Sequence, residues 1–208
     1  VVTKTGVGLK LASALLDLSG GMLLPTMFFT MITSIILGMG VPTTANYVIT
    51  STIAAPALVQ MGVPVLAAHM FVFYFGIIAD VTPPVALAAY AGAGISGGNA
   101  LKTGVHASKL AIAAFIIPYV FVLSPVLLMV DATPLALVSV TLTALLGMIA
   151  ISSALCGFLA DHCRPYERIL LIIAGLLMIK PGGITDLVGL ALFVVILVMQ
   201  YRRAKEAA

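Results

Sequence analysis

Two short stretches, LGMGVPTTANYV (37–48) and DVTPP (80–84), interrupt a chain that is otherwise a succession of apolar runs. Each break carries glycines or prolines, which free backbone N–H and C=O groups from helical pairing. The surroundings decide what that means. Apolar residues make up 62% of the chain and charged ones 8%, with a mean hydropathy of +1.24. A soluble domain is about half apolar and about a quarter charged. So little polar surface cannot wrap this much apolar surface, and the solvent for most of the chain is lipid. Broken backbone at membrane depth survives only inside protein or beside a water-filled cavity.

The apolar runs define the layout. MLLPTMFFTMITSIIL (22–37) and ANYVITSTIAAPALVQ (45–60) are each about 16 residues, or ~24 Å of helix, short of a ~30 Å hydrocarbon core. Joined by a Gly/Pro turn, they predict a re-entrant hairpin spanning 22–60. LAAHMFVFYFGIIA (66–79) and VALAAYAGAGI (85–95) flank DVTPP and predict one span interrupted in the middle. Pro83 and Pro84 donate no backbone hydrogen bond, and each disfavours helix in the residue before it. The segment 1–21 reads as an interfacial helix with Leu9, Leu11, Leu15, Leu16 and Leu18 on one side, ended by Gly20-Gly21; a frayed chain end is the plainer alternative. SGGNALKTGVHASK reads as a polar loop over 96–109. Helices are expected at 107–130, 135–160, 168–179 and 184–200, followed by a soluble tail, YRRAKEAA. Residues 22–130 thus form one unit and 131–208 a membrane extension with its tail.

Charge orients this layout. Lys102, Lys109, Arg164, Arg168, Arg202, Arg203 and Lys205 fall on one side of the membrane, and Lys4, Lys10 and Lys180 on the other. The positive-inside rule then makes the seven-residue side and the C-terminus cytoplasmic, with the hairpin mouth outside. A net charge of +3 without a basic stripe gives no case for nucleic acid. Cys156 and Cys163 imply no disulfide framework, and with His162 they form no recognised metal pattern. The chain opens Val1-Val2 without a charged n-region, so no signal peptide is visible, and it reads as the C-terminal part of something longer.

Paired interrupted segments are the sequence mark of a transporter's binding site. Gly38 and Gly40 allow close backbone approach and positive φ, Pro42 fixes the turn, and Thr43, Thr44 and Asn46 supply neutral oxygens. Such oxygens, with free carbonyls, suit Na⁺; free N–H groups at a helix start suit an anion. Thr44 can also cap a helix beginning near Ala45, and a capped turn in a loop is the bland reading of the whole stretch. Asp80 is the acid inside an apolar stretch before the last loops, which makes it a functional candidate, against a role capping the half-helix near Thr82. His69 reads as a buried hydrogen-bonding histidine rather than a proton relay. No paired carboxylates, HExxH, GxSxG or phosphate loop argues for an enzyme.

LGMGVPTTANYVI, followed by APALVQMGVPVLAAHMFVFYFGIIADVTPPVALAAYAGAGISG, resembles the large membrane subunit of tripartite ATP-independent periplasmic (TRAP) transporters, of the fused-permease type. PYERILLIIAGLLMIKPGGITDLVGLAL resembles the C-terminal extension of such permeases. The resemblance implies an all-α integral membrane fold with two inverted repeats, each holding a hairpin and a broken helix, in an elevator-type transport domain. This chain would hold the second repeat and the C-terminal transmembrane helices. It further implies import of small organic anions, typically carboxylates, handed over by a periplasmic binding protein and coupled to Na⁺, in the inner membrane of a bacterium or archaeon. Gly38, Gly40, Pro42, Thr43, Thr44 and Asn46 would be the hairpin tip, and Thr82, Pro83 and Pro84 the second break. Na⁺ would sit at Gly38, Gly40, Thr43 and Thr82, with no organic cofactor. The first repeat and small-subunit region would complete the site from outside this chain. Two other readings stay open: another elevator carrier, such as a dicarboxylate symporter or a Na⁺/H⁺ antiporter built on Asp80, and a membrane scaffold that transports nothing.

Overall fold

The computed structural model describes residues 6–180 and 182–206. Lys4, the first residues of the expected interfacial helix and the Leu9 side chain lie outside that description. The described residues form α-helices, short 3₁₀ turns and an isolated bridge between Phe158 and His162. The chain divides into two compact units, Val1–Val122 and Leu123–Ala208. Among the described residues, three stretches are long and apolar enough to cross a membrane: Ala100–Leu123, Pro134–Cys156 and Gly183–Lys205. It is an all-α, multi-pass membrane protein.

In the first unit, α1 (Val7–Leu18) is closed by Gly20 and Gly21, whose φ values of 62° and 70° stop it. It buries Ala12 and Leu15, while Leu18 stays exposed. Helices α2 (Leu23–Gly38) and α3 (Thr43–Ile53) are joined by four residues. The second arm does not run unbroken to residue 60. It breaks at the buried Ala54 and resumes as α4 (Ala55–Gln60), because Pro56 in the first turn of α4 has no N–H to continue the ladder.

Helix α5 (Val65–Ile78) is the buried centre of this unit, with α2, α3 and α4 packed against it. Phe71 and Phe75 stack edge-on with each other at 4.8 Å and with Tyr119 at 5.4 and 5.9 Å. A 3₁₀ turn (Ala79–Val81), a non-helical stretch and α6 (Leu87–Ser96) follow.

Residues 96–109 are not a loop. Asn99 accepts the Lys102 N–H at 3.0 Å and starts α7 (Ala100–Leu110), whose polar content masked an ordinary N-cap. The helix expected over 107–130 is correspondingly shorter. Helix α8 (Ile112–Leu123) begins after a turn at Ala111 and stops where Pro125 excludes helix from Ser124.

The second unit holds α9 (Pro134–Cys156), α10 (Pro165–Ile179) and α11 (Gly183–Glu206). Gly147 and Gly175 bring α9 and α10 together backbone to backbone. A Cβ on Gly147 would lie 2.9 Å from the Gly175 oxygen, and one on Gly175 2.7 Å from that of Gly147. In lipid, where apolar burial drives nothing, such close approach is what holds helices together. Ala150, Ala154, Leu171, Ala174, Met178, Phe193 and Ile196 fill the rest of the core.

The last helix does not end at residue 200: α11 runs to Glu206 and turns Arg203 back onto the preceding connection. Arg203 pairs with Asp161 at 2.7 Å and Glu167 at 2.9 Å, and donates to the His162 oxygen at 2.7 Å. Gln200, fully buried, accepts from the Ala160 and Asp161 N–H groups and donates to Glu167 at 2.8 Å. Both cysteines are free. Among the described residues, no group of three His, Cys, Asp or Glu side chains could hold a metal ion.

Candidate binding site at two helix breaks

The first break is a tight turn. Helix α2 ends at Gly38, the Val41 N–H returns to the Gly38 oxygen at 3.4 Å, and Gly40 takes a φ of 68°. Only glycine adopts that conformation without cost. Pro42, with φ −55°, precedes Thr43, the first residue of α3. Thr44 therefore caps nothing: the helix starts one residue earlier, and no side chain caps it. Gly40, Pro42, Thr43 and Thr44 are exposed, and no side chain caps the first-turn N–H groups of α3.

Asn46 differs from its neighbours. It is 3% exposed and wedged where α2, α3 and α5 meet. A Cβ on Gly38 would strike the Gly76 oxygen and come within 2.9 Å of Asn46 Nδ2; one on Gly76 would strike the same Asn46 amide. The Asn46 Oδ1 is buried with no hydrogen-bond partner among the described residues. A buried acceptor left without a partner costs about 1–3 kcal/mol.

A polar stripe leads to this point. Thr26, Thr30, Ser34 and Gly38 recur every four residues along α2 and are all buried, while Leu24, Phe28 and Ile36 on the same helix are exposed. Helix α2 thus turns its polar side inward. The Ser34 hydroxyl donates to the Thr30 backbone carbonyl at 2.8 Å, and the Thr50 hydroxyl on α3 donates to the Asn46 backbone carbonyl at 2.9 Å. Thr30 Oγ1, like Asn46 Oδ1, has no partner among the described residues. Sequence reasoning singled out none of Thr26, Thr30, Ser34, Thr50 or Gly76. The four-residue recurrence in TMFFTMITSIILG was the available signal.

At the second break, the Thr82 hydroxyl donates to the Ile78 oxygen at 3.1 Å and the Ala79 oxygen at 3.4 Å, occupying carbonyls that the end of α5 sets free. Neither Thr82 nor Asp80 caps α6, whose N-cap residue is Ala86, with φ 38° and no side-chain cap. Asp80 is half-buried, Pro83 is half-buried and Pro84 exposed. Helix α7 braces the break: Ser108 donates to the Val81 oxygen at 3.2 Å, and Gly104 sits against Pro83 and Ala86. Tyr90 donates to the Pro84 oxygen at 2.9 Å.

The two breaks share one end of α5. Gly38 rests on Gly76, one turn before the 3₁₀ segment, and α2 touches that segment directly. Gly38 and Asn46 are thereby brought beside the approach to Asp80–Thr82. Gly40, Thr43 and Thr44 reach outward, and no described contact joins them to Thr82, Pro83 or Pro84. His69 is half-buried and hydrogen-bonded to the Tyr47 hydroxyl at 2.9 Å, beside a mostly apolar cavity of about 220 Å³ shared with Leu66, Met70 and Phe73.

Comparison with known families places residues 1–136 within the family described as "Tripartite ATP-independent periplasmic transporter, DctM component". No curated protein and no solved structure matches the chain.

Proposed function

The chain belongs to the DctM family, the large membrane component of tripartite ATP-independent periplasmic transporters, and on that premise we propose that its two helix breaks form one Na⁺ site and part of a substrate site. The observation that carries this reading is the buried, unpartnered Asn46 Oδ1 at the end of α2. A neutral amide oxygen beside carbonyls released at a helix end is the donor set a hard monovalent cation accepts. Backbone at Gly38 and Gly40 and the hydroxyls of Thr43 and Thr82 complete the candidate ligands. Thr82 already spans the end of α5, so a small shift of its hydroxyl frees carbonyl oxygens for the ion.

The substrate is a small organic anion, a carboxylate by class. Uncapped first-turn N–H groups at the starts of α3 and α6, the latter just past Pro83 and Pro84, offer it positive dipole ends. A periplasmic binding protein delivers it, and a first repeat and small-subunit region complete the permease. The hairpin re-enters the membrane, the assembly moves as an elevator-type transport domain in the inner membrane, and the C-terminus is cytoplasmic. The mainly internal pairing of the α2 and α3 hydroxyls fits a body that moves through lipid without exposing them.

The test is uptake by proteoliposomes holding the assembled transporter and its binding protein, driven by Na⁺ or K⁺ gradients. Thr43→Ala removes an exposed hydroxyl that the fold does not need. Losing one ligand oxygen worth about 1.4 kcal/mol raises the half-saturating Na⁺ concentration about tenfold. Asn46→Ala is expected to act in the same direction and more strongly. Unchanged Na⁺ dependence in both variants would remove the ion site from these breaks. Asp80→Asn separates the antiporter reading, which requires that variant to lose ion dependence.

A further inference from the structure

Residues 137–208 lie outside the family match, and the second unit carries a feature apart from the two helix breaks. Where the start of α10 meets the end of α11, a cavity of about 330 Å³ is lined by Arg164, Tyr166, Glu167, Met199, Arg202 and Arg203. We propose that this cavity binds the phosphate headgroup of an anionic phospholipid.

The charges in it are unequal in commitment. Arg203 is tied to Asp161 and Glu167. Glu167 is 1% exposed, and both its oxygens are occupied: Oε1 by Tyr166 and Arg203, Oε2 by the Arg164 N–H, Gln200 and Arg203. The lining's acid therefore has little left with which to repel an anion. Arg164 and Arg202 are exposed, and among the described residues neither guanidinium has a hydrogen bond or ion pair. Two fork-shaped donors with no acceptor, over one cavity, match the geometry of a phosphate.

Position selects a lipid over free phosphate. Arg202 and Arg203 lie at the C-terminal end of the apolar stretch Gly183–Lys205, where a helix that spans a bilayer would meet its headgroups. Met199 and Tyr166, 49% and 45% exposed, give the cavity an apolar and an amphipathic wall. Interfacial tyrosines and basic pockets between helices are how membrane proteins hold headgroups. A soluble phosphate would gain nothing from that apolar wall.

The experiment compares the full chain with an Arg164→Gln/Arg202→Gln double variant in phosphatidylcholine nanodiscs, with and without phosphatidylglycerol. Thermal shift and retained lipid are the readouts. Phosphatidylglycerol is expected to stabilise the wild type, and the double variant to bind it roughly 30-fold more weakly, as for two lost interfacial cations. An Arg164→Lys/Arg202→Lys variant should keep much of the effect. Three results would overturn the proposal: equal phosphatidylglycerol binding by the Gln variant, displacement of the lipid by inorganic phosphate, or a changed melting temperature of the Gln variant in phosphatidylcholine alone. The last would make the two arginines part of the fold rather than a site.

Discussion

Gly38→Ala is expected to lower the stability of the first unit by about 3 kcal/mol, at the upper end of overpacking effects. The added methyl would strike the Gly76 carbonyl oxygen, and a backbone atom of the central helix cannot rotate out of the way. Relief requires α2 to separate from α5, which would also uncover Asn46. For a chain of this size the melting temperature should fall by roughly 6–12 °C, read by circular dichroism in detergent. Gly92→Ala is the matched control. That glycine lies exposed on α6 with nothing within 4 Å of a Cβ, so alanine there should be neutral or stabilising by up to about 1 kcal/mol. Equal melting temperatures for the two variants would show that the Gly38–Gly76–Asn46 crossing does not hold the helices together.

Glu167→Ala should have an effect nearly as large on the second unit, about 2 kcal/mol from lost hydrogen bonds to a charged group. Its carboxylate gathers the Arg164 N–H, Gln200 and Arg203 and so fastens the 157–164 connection onto α11. The readout is amide hydrogen exchange at Ala160–Cys163, which should speed up in the variant and much less in Glu167→Gln, whose amide oxygen still accepts. Acid acts on the same cluster through Asp161. Hydrogen bonding to Arg203, then to the His162 N–H, holds that carboxyl below the ordinary aspartate range. A lowered carboxyl stabilises fully above the unfolded value of about 3.9, and its contribution fades as pH falls through the folded value. Exchange in this connection should therefore accelerate only on strong acidification. Unchanged exchange in Glu167→Ala would mean the carboxylate does not fasten the connection.

The two breaks were legible because glycine and proline leave few conformations open, and because apolar runs on either side fix their depth. What the sequence hid was the set of residues whose meaning depends on a neighbour. Gly76 sits in FYFGII like any small residue in a membrane helix, and only the crossing of α2 shows why a side chain cannot fit. Thr26, Thr30 and Ser34 disappear into an apolar average, although their spacing is regular. Helix α7 was obscured because Lys102, Thr103, Ser108 and Lys109 look like loop residues unless Asn99 is weighed as a cap. The break at Ala54 and the stop at Ser124 were both written in the prolines that follow, Pro56 and Pro125, and the surrounding hydropathy outweighed them. The end of α11 was misjudged because charge looks like solvation, whereas Arg203 spends its charge inside the fold.

Direct ion binding tests the proposal that the breaks at 38–44 and 80–84 hold Na⁺. The assembled transporter is melted in NaCl and in KCl at equal ionic strength, for the wild type and for Asn46→Ala. At a Na⁺ concentration ten times its Kd, selective binding stabilises the folded state by about 1.4 kcal/mol. The wild type is expected to gain that increment in Na⁺ over K⁺, and Asn46→Ala to lose it. Identical melting in the two salts, or an increment that survives Asn46→Ala, would remove Na⁺ from these breaks.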